Sequence, residues 1–512
     1  MDMKKILFPA LAALLLLASA CSQKAEYTHA IPANATFVSS VNLSTLSEKA
    51  GLGDSDNQAL LQKLKESLKS EMDATTYDYI GTLLDDPAQS GIDLQAPIYL
   101  FTSRALRQGS FVAKVADKGN VQTLLETLRK EGGETEEKEN CTLVHTSDGL
   151  LLGYNESLLF CLGQQTGPQL PAYKDSLVAW IQQTEAQSFA SRPEFKQMQA
   201  QKGDIKAIYS YASLPKNYMA ITGYRMPKGL DLKDLRFIIG LSFEKGSIDL
   251  HLTYYTENEQ IKSLLAKQNQ VYRPIKNTFI DYFPQSTLLL VSAGLDGNAL
   301  YDLLLETTPI GENLSAKNAE TIKQVMAMFE DDLSFGMVNF TLNKLPSLLA
   351  YATVKDSAPL KALLENDELK KQLGRGNDIV QLEEDRYVWK SRNFNLFFGV
   401  QDKQFYATND ELLYKDLFKK CDPSAAQNAY AGDMKGKKGF AVVNMEAICQ
   451  LPIVKMLAGM GGSQYATILA ALEHIDYMKS ENNETGSYAS IQLKDKDTNA
   501  LKQIVELAKT AL

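Results

Sequence analysis

The chain has few of the residues that most often carry chemistry. Its 512 residues include four histidines, two tryptophans and five cysteines. Histidine is the commonest metal ligand and the side chain most easily poised near neutrality. His29, His145, His251 and His474 are scattered along the chain and form no ligand motif. No CxxC occurs, which removes zinc-ribbon and thioredoxin readings. Gly432 to Gly439 holds Lys435, Lys437 and Lys438 but not the Walker spacing. Gly459-Met460-Gly461-Gly462 reads as a helix stop, and Gly374 to Asp378 as a turn. The acidic runs Glu134 to Glu139 and Glu383-Glu384-Asp385 lack the glycine and alternating oxygen ligands of a calcium loop. An excess of positive charge is missing as well: 53 Lys and Arg against 62 Asp and Glu leave a net charge of −9. The basic stripe of a nucleic-acid binder is therefore absent. Neither a metal nor a cofactor is expected, and no nucleic-acid partner.

Long apolar runs are absent after residue 17, and a helix that spans a bilayer needs ~20 apolar residues. The one run that exists opens the chain. Met1 to Lys5 is short and basic, Ile6 to Leu17 is apolar apart from Pro9, and Ala18-Ser19-Ala20-Cys21 follows. This is the layout of a secretory signal, and a Cys directly after the small residues resembles the lipobox of bacterial lipoproteins. Residues 1–20 are expected to be removed, and Cys21 to carry a diacylglycerol thioether and a further acyl chain. Two or more chains anchor stably where one binds only reversibly. Loss of Lys4, Lys5 and Asp2 moves the net charge from −9 to −10. Residues 21–30 read as a tether. Glu26 is the only acid near Cys21 and Lys24 opposes it, so the expected place is the outer membrane, facing the periplasm, with the cell surface as the alternative.

An exported chain meets oxidising conditions. Cys141 and Cys161 fall on neighbouring expected strands, where they either pair or stand as separate half-buried thiols.

The remainder reads as one unit written twice, 31–275 and 276–512. Ile31 to Leu43 aligns without gaps to Phe283 to Leu295. In each, a Pro-containing turn runs into a buried strand and a helix start, with Thr45 and Glu48 as an expected capping box. The order then recurs: strands Ile98–Ser103 and Ser110–Asp117 with helix Asn120–Arg129, against Leu333–Leu342, Leu348–Val354 and helix Ser357–Leu364. The hairpin Leu150–Asn155/Ser157–Leu162 matches Leu396–Gln401/Gln404–Thr408. Ile205–Ser213 matches Phe440–Ile448, and Gly246-Ser247 matches Gly486-Ser487, each pair of residues opening a strand before a final helix. A helix at Asn57–Met72 belongs to the first copy alone. A period this long means duplicated domains, and the order fits an α+β class of antiparallel sheet covered by helices on one face.

The start Ile31-Pro32-Ala33-Asn34-Ala35, running through Val38 to Leu43 and Leu46 to Leu52, resembles an uncharacterised lipoprotein family of Bacteroidales of about this length. The resemblance implies an envelope location and carries no activity, cofactor or functional residue.

Candidate chemistry is thin. Asp249-x-His251 lies on the polar face of an alternating strand, where a carboxylate beside a histidine orients a base or simply meets solvent. His145-Thr146-Ser147-Asp148 contains triad residue types, but triads are a matter of geometry, and a turn accounts for it. Tyr209, Tyr211, Tyr218 and Tyr224 cluster, and rings with a polar tip suit ligand surfaces. Asp175-Ser176-Leu177 and Asp356-Ser357-Ala358 resemble an O-glycosylation acceptor, and each falls at an expected helix start. No catalytic residue is assigned. The leading expectation is a non-enzymatic binding or assembly protein of the envelope, held to the membrane through Cys21 with another envelope protein as partner. The alternatives are a binder of a small molecule or peptide in a pocket between the repeats, and an unrecognised hydrolase.

Overall fold

The structure is a computed structural model that describes residues 26–58, 74–103, 109–129, 132–211, 232–308, 316–342, 344–366, 377–460 and 463–511, with 62, 65, 66 and 69. The expected signal 1–20, Cys21, Tyr218, Tyr224 and most of the expected helix Asn57–Met72 lie outside the described residues. Every strand ladder is antiparallel, and helices connect the ladders, so the class is α+β. The chain forms two compact units that divide between Tyr209 and Ser210.

In the first unit, β1 (Ala35–Val41) lies between β2 (Ile98–Ser103) and β8 (Ile205–Ser210). Beyond β2 come β3 (Ser110–Lys114), β7 (Leu158–Gln164), β6 (Leu150–Tyr154), β5 (Cys141–His145) and β4 (Glu134–Lys138). The helix Lys118–Arg129 sets Val121 and Leu125 against Val144, Leu152, Leu159 and Cys161. The opposite face is also covered. Leu177 and Ile181 of helix Leu170–Gln182 come so close to β6 that a Cβ on Gly153 would lie 2.8 Å from Ile181, and Trp180 stacks on Phe160. Cover on both faces explains why Leu158 to Gly163 are buried in unbroken succession rather than alternately. The expectation of helices on one face fails here for that reason.

In the second unit, β12 (Leu289–Asp296) is flanked by β13 (Phe329–Asn339) and β19 (Gly439–Asn444). Past β13 come β14 (Ser347–Val354), β18 (Gln404–Thr408), β17 (Asn395–Gln401), β16 (Arg386–Lys390) and β15 (Asp378–Glu383). Past β19 come β20 (Ile475–Asn482), β21 (Gly486–Leu493), β10 (Ser247–Tyr255) and β9 (Arg236–Glu244). The two-residue β11 (Tyr272–Arg273) pairs with the end of β12. Phe279, Phe283, Tyr351, Tyr406 and Tyr430 fill the core over β12–β18. Burial pushes the phenols of Tyr351 and Tyr430 up to about 12.

Several local expectations change. The buried turn Tyr27–Ala30 belongs to the fold, so the expected tether 21–30 is too long at its end. The first helix is capped one turn earlier than Thr45: Asn42 accepts from the Thr45 amide at 3.0 Å. The expected strand Phe440–Ile448 stops at Asn444, whose side chain caps a helix over Met445–Gln450. Asp175 and Ser176 are mid-helix, Ser176 donating to the Ala172 carbonyl, while Ser357 does stand at a helix start. Cys141 and Cys161 are separated by β6, and all four described cysteines are free thiols. Burial lifts the Cys141 thiol to about 11 and raises Cys161.

Asp296 gives a testable case of capping. Its Oδ1 accepts from the amides of Asn298 and Ala299 at 3.1 Å, and Arg273 bonds its other oxygen. The Ala299 amide first, then Arg273, hold the carboxyl below its ordinary value against the opposing effect of burial. A depressed carboxyl stabilises the fold above the unfolded-state pKa, and the benefit disappears as pH falls through the folded value. Asp296→Ala is expected to cost about 0.5–2 kcal/mol at neutral pH. Asp296→Asn keeps most of the cap and loses less stability than the parent between pH 5 and 3. Urea midpoints at the two pH values measure both.

Candidate ligand-binding cleft

Strand β10 leads to the helix Glu259–Val271, whose start is fixed by Asn258 accepting from the Gln260 and Ile261 amides. That helix ends directly at β11. Beside it, the β20–β21 hairpin closes on Asn483, whose side chain accepts from the Thr485 and Gly486 amides at 2.9 Å. Gly486 has no room for a side chain: a Cβ would sit 1.9 Å from the Leu252 carbonyl. The hairpin therefore presses against β10 at Thr253, and a cleft of about 240 Å³ forms between hairpin and helix.

Its walls are Tyr254 and Leu265 with Gln268, Asn269 and Tyr272 on one side, and Lys438, Asn482, Glu484 and Ser487 on the other. Lys438 bonds Glu484 at 3.1 Å, and Asn269 donates to the Glu484 carbonyl at 2.9 Å. These bonds tie the helix end to the hairpin. Ser487 donates to Asn482 at 2.8 Å. The amides of Gln268, Asn269 and Asn482 each present donor and acceptor, and Tyr254, 38% exposed, offers a ring. The volume falls below the ~300–1,000 Å³ of drug-sized pockets, which suits one sugar ring or one amino-acid residue.

The Asp249–His251 pair lies on the other face of β10. Asp249 accepts from Tyr488 at 2.7 Å, Ser490 at 2.6 Å and Ser247 at 3.1 Å, and the His251 ring packs on Tyr488 at 4.8 Å. Burial, then the Asp249 charge, raises the Tyr488 phenol. The carboxylate is satisfied by hydroxyls rather than aimed at the imidazole, so the geometry is a cross-strand polar clasp. His145 bonds the Gln165 carbonyl at 2.9 Å, and Thr146 donates to Asp148 within a turn. Tyr209 meets Phe37 edge-on and Tyr211 tilts against Phe237, so both rings pack on neighbours. Of the tyrosines named from sequence, neither Tyr209 nor Tyr211 lines the cleft. Among the described residues no group of His, Cys, Asp or Glu is arranged to hold a metal ion. The cleft residues escaped notice in sequence because they are ordinary polar residues from segments over 160 positions apart, as with Asn269 and Lys438. The one available signal was the recurrence of Gly246-Ser247 at Gly486-Ser487.

No curated protein matches the chain. Two solved structures do, entitled crystal forms IV and III of TP0453, at 9% and 8% identity. They cover 45% of this chain and 81% and 97% of theirs, with TM-scores of 0.26 and 0.23. Likeness at that level supports no argument about fold or function. The profile described as Domain of unknown function (DUF4836) matches residues 27–501, and the chain belongs to that family.

Proposed function

We propose that this protein is a non-catalytic binding lipoprotein of the bacterial envelope, of Bacteroidales type, anchored through Cys21 to the outer membrane and facing the periplasm. Its recognition site is the cleft between the helix Glu259–Val271 and the β20–β21 hairpin. The observation that carries the reading is the lining: paired amides, two tyrosines and a Lys–Glu bridge, contributed by both sequence halves.

The halves 31–275 and 276–512 are, in this reading, a tandem duplication. The supporting details are specific. Pro32 bridges Ser188 as Pro284 bridges Ser424. The Phe189 amide bonds the Ile31 carbonyl as the Ala425 amide bonds that of Phe283. The strand order β4-β5-β6-β7-β3-β2-β1-β8 recurs as β15-β16-β17-β18-β14-β13-β12-β19. The equivalent strands β10 and β21 pair antiparallel with Leu250 opposite Ala489 and Asp249 opposite Ser490. At an offset of 240 this is the self-complementary pairing of a local two-fold, and it places the elements that line the cleft side by side.

The ligand is a small polar molecule bearing hydroxyl or amide groups. A panel of envelope-derived sugars and short peptides, read by thermal stabilisation of the Cys21→Ser chain, is expected to give a hit. Tyr254→Ala with Gln268→Ala should then weaken it about tenfold, since two lost contacts amount to roughly 1–2 kcal/mol, with the ligand-induced shift measured from the variant's own unliganded melting temperature because Tyr254 also packs on Phe237. A hit untouched by that variant places the site elsewhere and overturns the cleft.

A further inference from the structure

Among the residues that line the cleft between the helix Glu259–Val271 and the β20–β21 hairpin, Lys438 is the only cation and Glu484 the only acid. They bond at 3.1 Å, yet the two ends of the pair are placed differently: the Lys438 side chain is 17% exposed and that of Glu484 77%. The cation belongs to the wall of the cleft and the acid to its rim.

The wall position is fixed. Lys438 directly precedes β19, and its carbonyl accepts from the Gly294 amide of β12 at 3.3 Å. Its ammonium also donates to the Asn269 carbonyl at 3.5 Å, in the last turn of the helix, where the helix dipole favours positive charge. An ammonium has three donors, and these bonds to Glu484 and Asn269 use two. Glu484 is held in another way. Its backbone carbonyl is tied by the Asn269 side chain at 2.9 Å, so its carboxylate can leave Lys438 while the hairpin turn stays in place. The nearby carboxylate of Glu481 is engaged by Lys437 at 2.8 Å.

An ion pair with an exposed partner contributes little net stability, because water competes for the acid. Without the Glu484 carboxylate, the cleft holds a largely desolvated ammonium among neutral amides, hydroxyls and rings. A charge in that position is costly until another opposite charge meets it. An incoming carboxylate meets it, and the exchange of one counterion for another needs no rearrangement of the wall.

We propose that the ligand of the cleft is a sugar bearing a carboxylate, and that Glu484 stands in for that carboxylate on Lys438 in the unliganded protein. The proposal rests on the cleft being the recognition site. The carboxylate takes Lys438, the ring lies against Tyr254, and its hydroxyls meet the amides of Gln268 and Asn482.

The test uses the chain without residues 1–20 and with Cys21→Ser, titrated with D-glucuronate and with D-glucose, which differ only in the carboxylate. Saturation-transfer NMR reads the binding. Glucuronate is expected to bind about two- to fivefold more tightly, the scale of one partly exposed ion pair. Raising the salt from about 0.05 M to about 0.5 M should remove that advantage. Glu484→Gln should tighten glucuronate more than glucose, because the internal competitor is gone. Lys438→Gln should abolish the preference and Lys438→Arg restore it. Equal binding of the two sugars, weakened alike by Tyr254→Ala with Gln268→Ala, overturns the carboxylate and leaves the cleft standing. Binding of neither sugar, by the parent or by Glu484→Gln, overturns the acidic sugar, and the cleft then stands or falls by the wider ligand panel. N-acetylalanine preferred over glucuronate also overturns the sugar and gives Lys438 to the carboxylate end of a peptide.

Discussion

Phe283→Ala is expected to destabilise the second unit by about 3–5 kcal/mol, the range for removing a buried aromatic ring from a close-packed core. Phe283 is fully buried and meets Tyr351 edge-on at 5.8 Å. A Cβ placed on Gly336 would lie 2.7 Å from its ring, so the neighbours are already in contact and cannot collapse far into the cavity. The matched change in the first unit is Ile31→Ala. Ile31 is also fully buried and its carbonyl also closes the bridge at the start of the first strand. Its expected cost is about 2–5 kcal/mol. Urea unfolding followed by Trp180 for the first unit and Trp389 for the second separates the two. Each change should lower the midpoint reported by the tryptophan of its own unit. A loss below about 1 kcal/mol at either position would mean that the aligned Pro-containing turn is not a core anchor there, and the equivalence of the two segments would fail.

That pair of residues shows what the sequence makes legible. Gap-free alignment of Ile31–Leu43 to Phe283–Leu295 finds two turns that fold alike because the same rule acts on both: a proline turn followed by a β-rich apolar run. Strong periodicity likewise places the hairpins and the terminal helices within a few residues. Errors fall where one residue decides a boundary. Asn444 ends a strand by capping a helix, although the residues beyond it, Met445 to Ile448, look as apolar as the strand before. Cys141 and Cys161 read as neighbours because they are close along the chain; in the sheet β6 lies between β5 and β7 and pairs with both, so it keeps the thiols apart. The cleft was the least legible part. Its polar groups come from β10, the helix after it, Lys438 and the β20–β21 hairpin, and only long-range pairing brings these together. The tyrosines chosen for their density in sequence pack on Phe37 and Phe237 where they are described, which shows that density along the chain is no guide to convergence in space.

Cys21→Ser is expected to move the protein from the membrane fraction to the soluble fraction of the envelope. In the lipoprotein proposed above, the thiol of Cys21 is the atom that would accept the diacylglycerol, and a serine hydroxyl would not replace it. Each methylene buried in the bilayer contributes about 0.8 kcal/mol, so losing two or three acyl chains changes the partition by many orders of magnitude, larger than any other single substitution in this chain. Acyl insertion is not screened by salt, so the parent should resist a high-salt wash and the Cys21→Ser protein should be absent from the washed membranes. Intact mass gives the second check: the parent should lack residues 1–20 and exceed its polypeptide mass by the lipid, and the variant should carry no lipid. A Cys21→Ser protein that stays in the membrane through the salt wash would end the anchor proposal, because the attachment would then lie in the polypeptide itself.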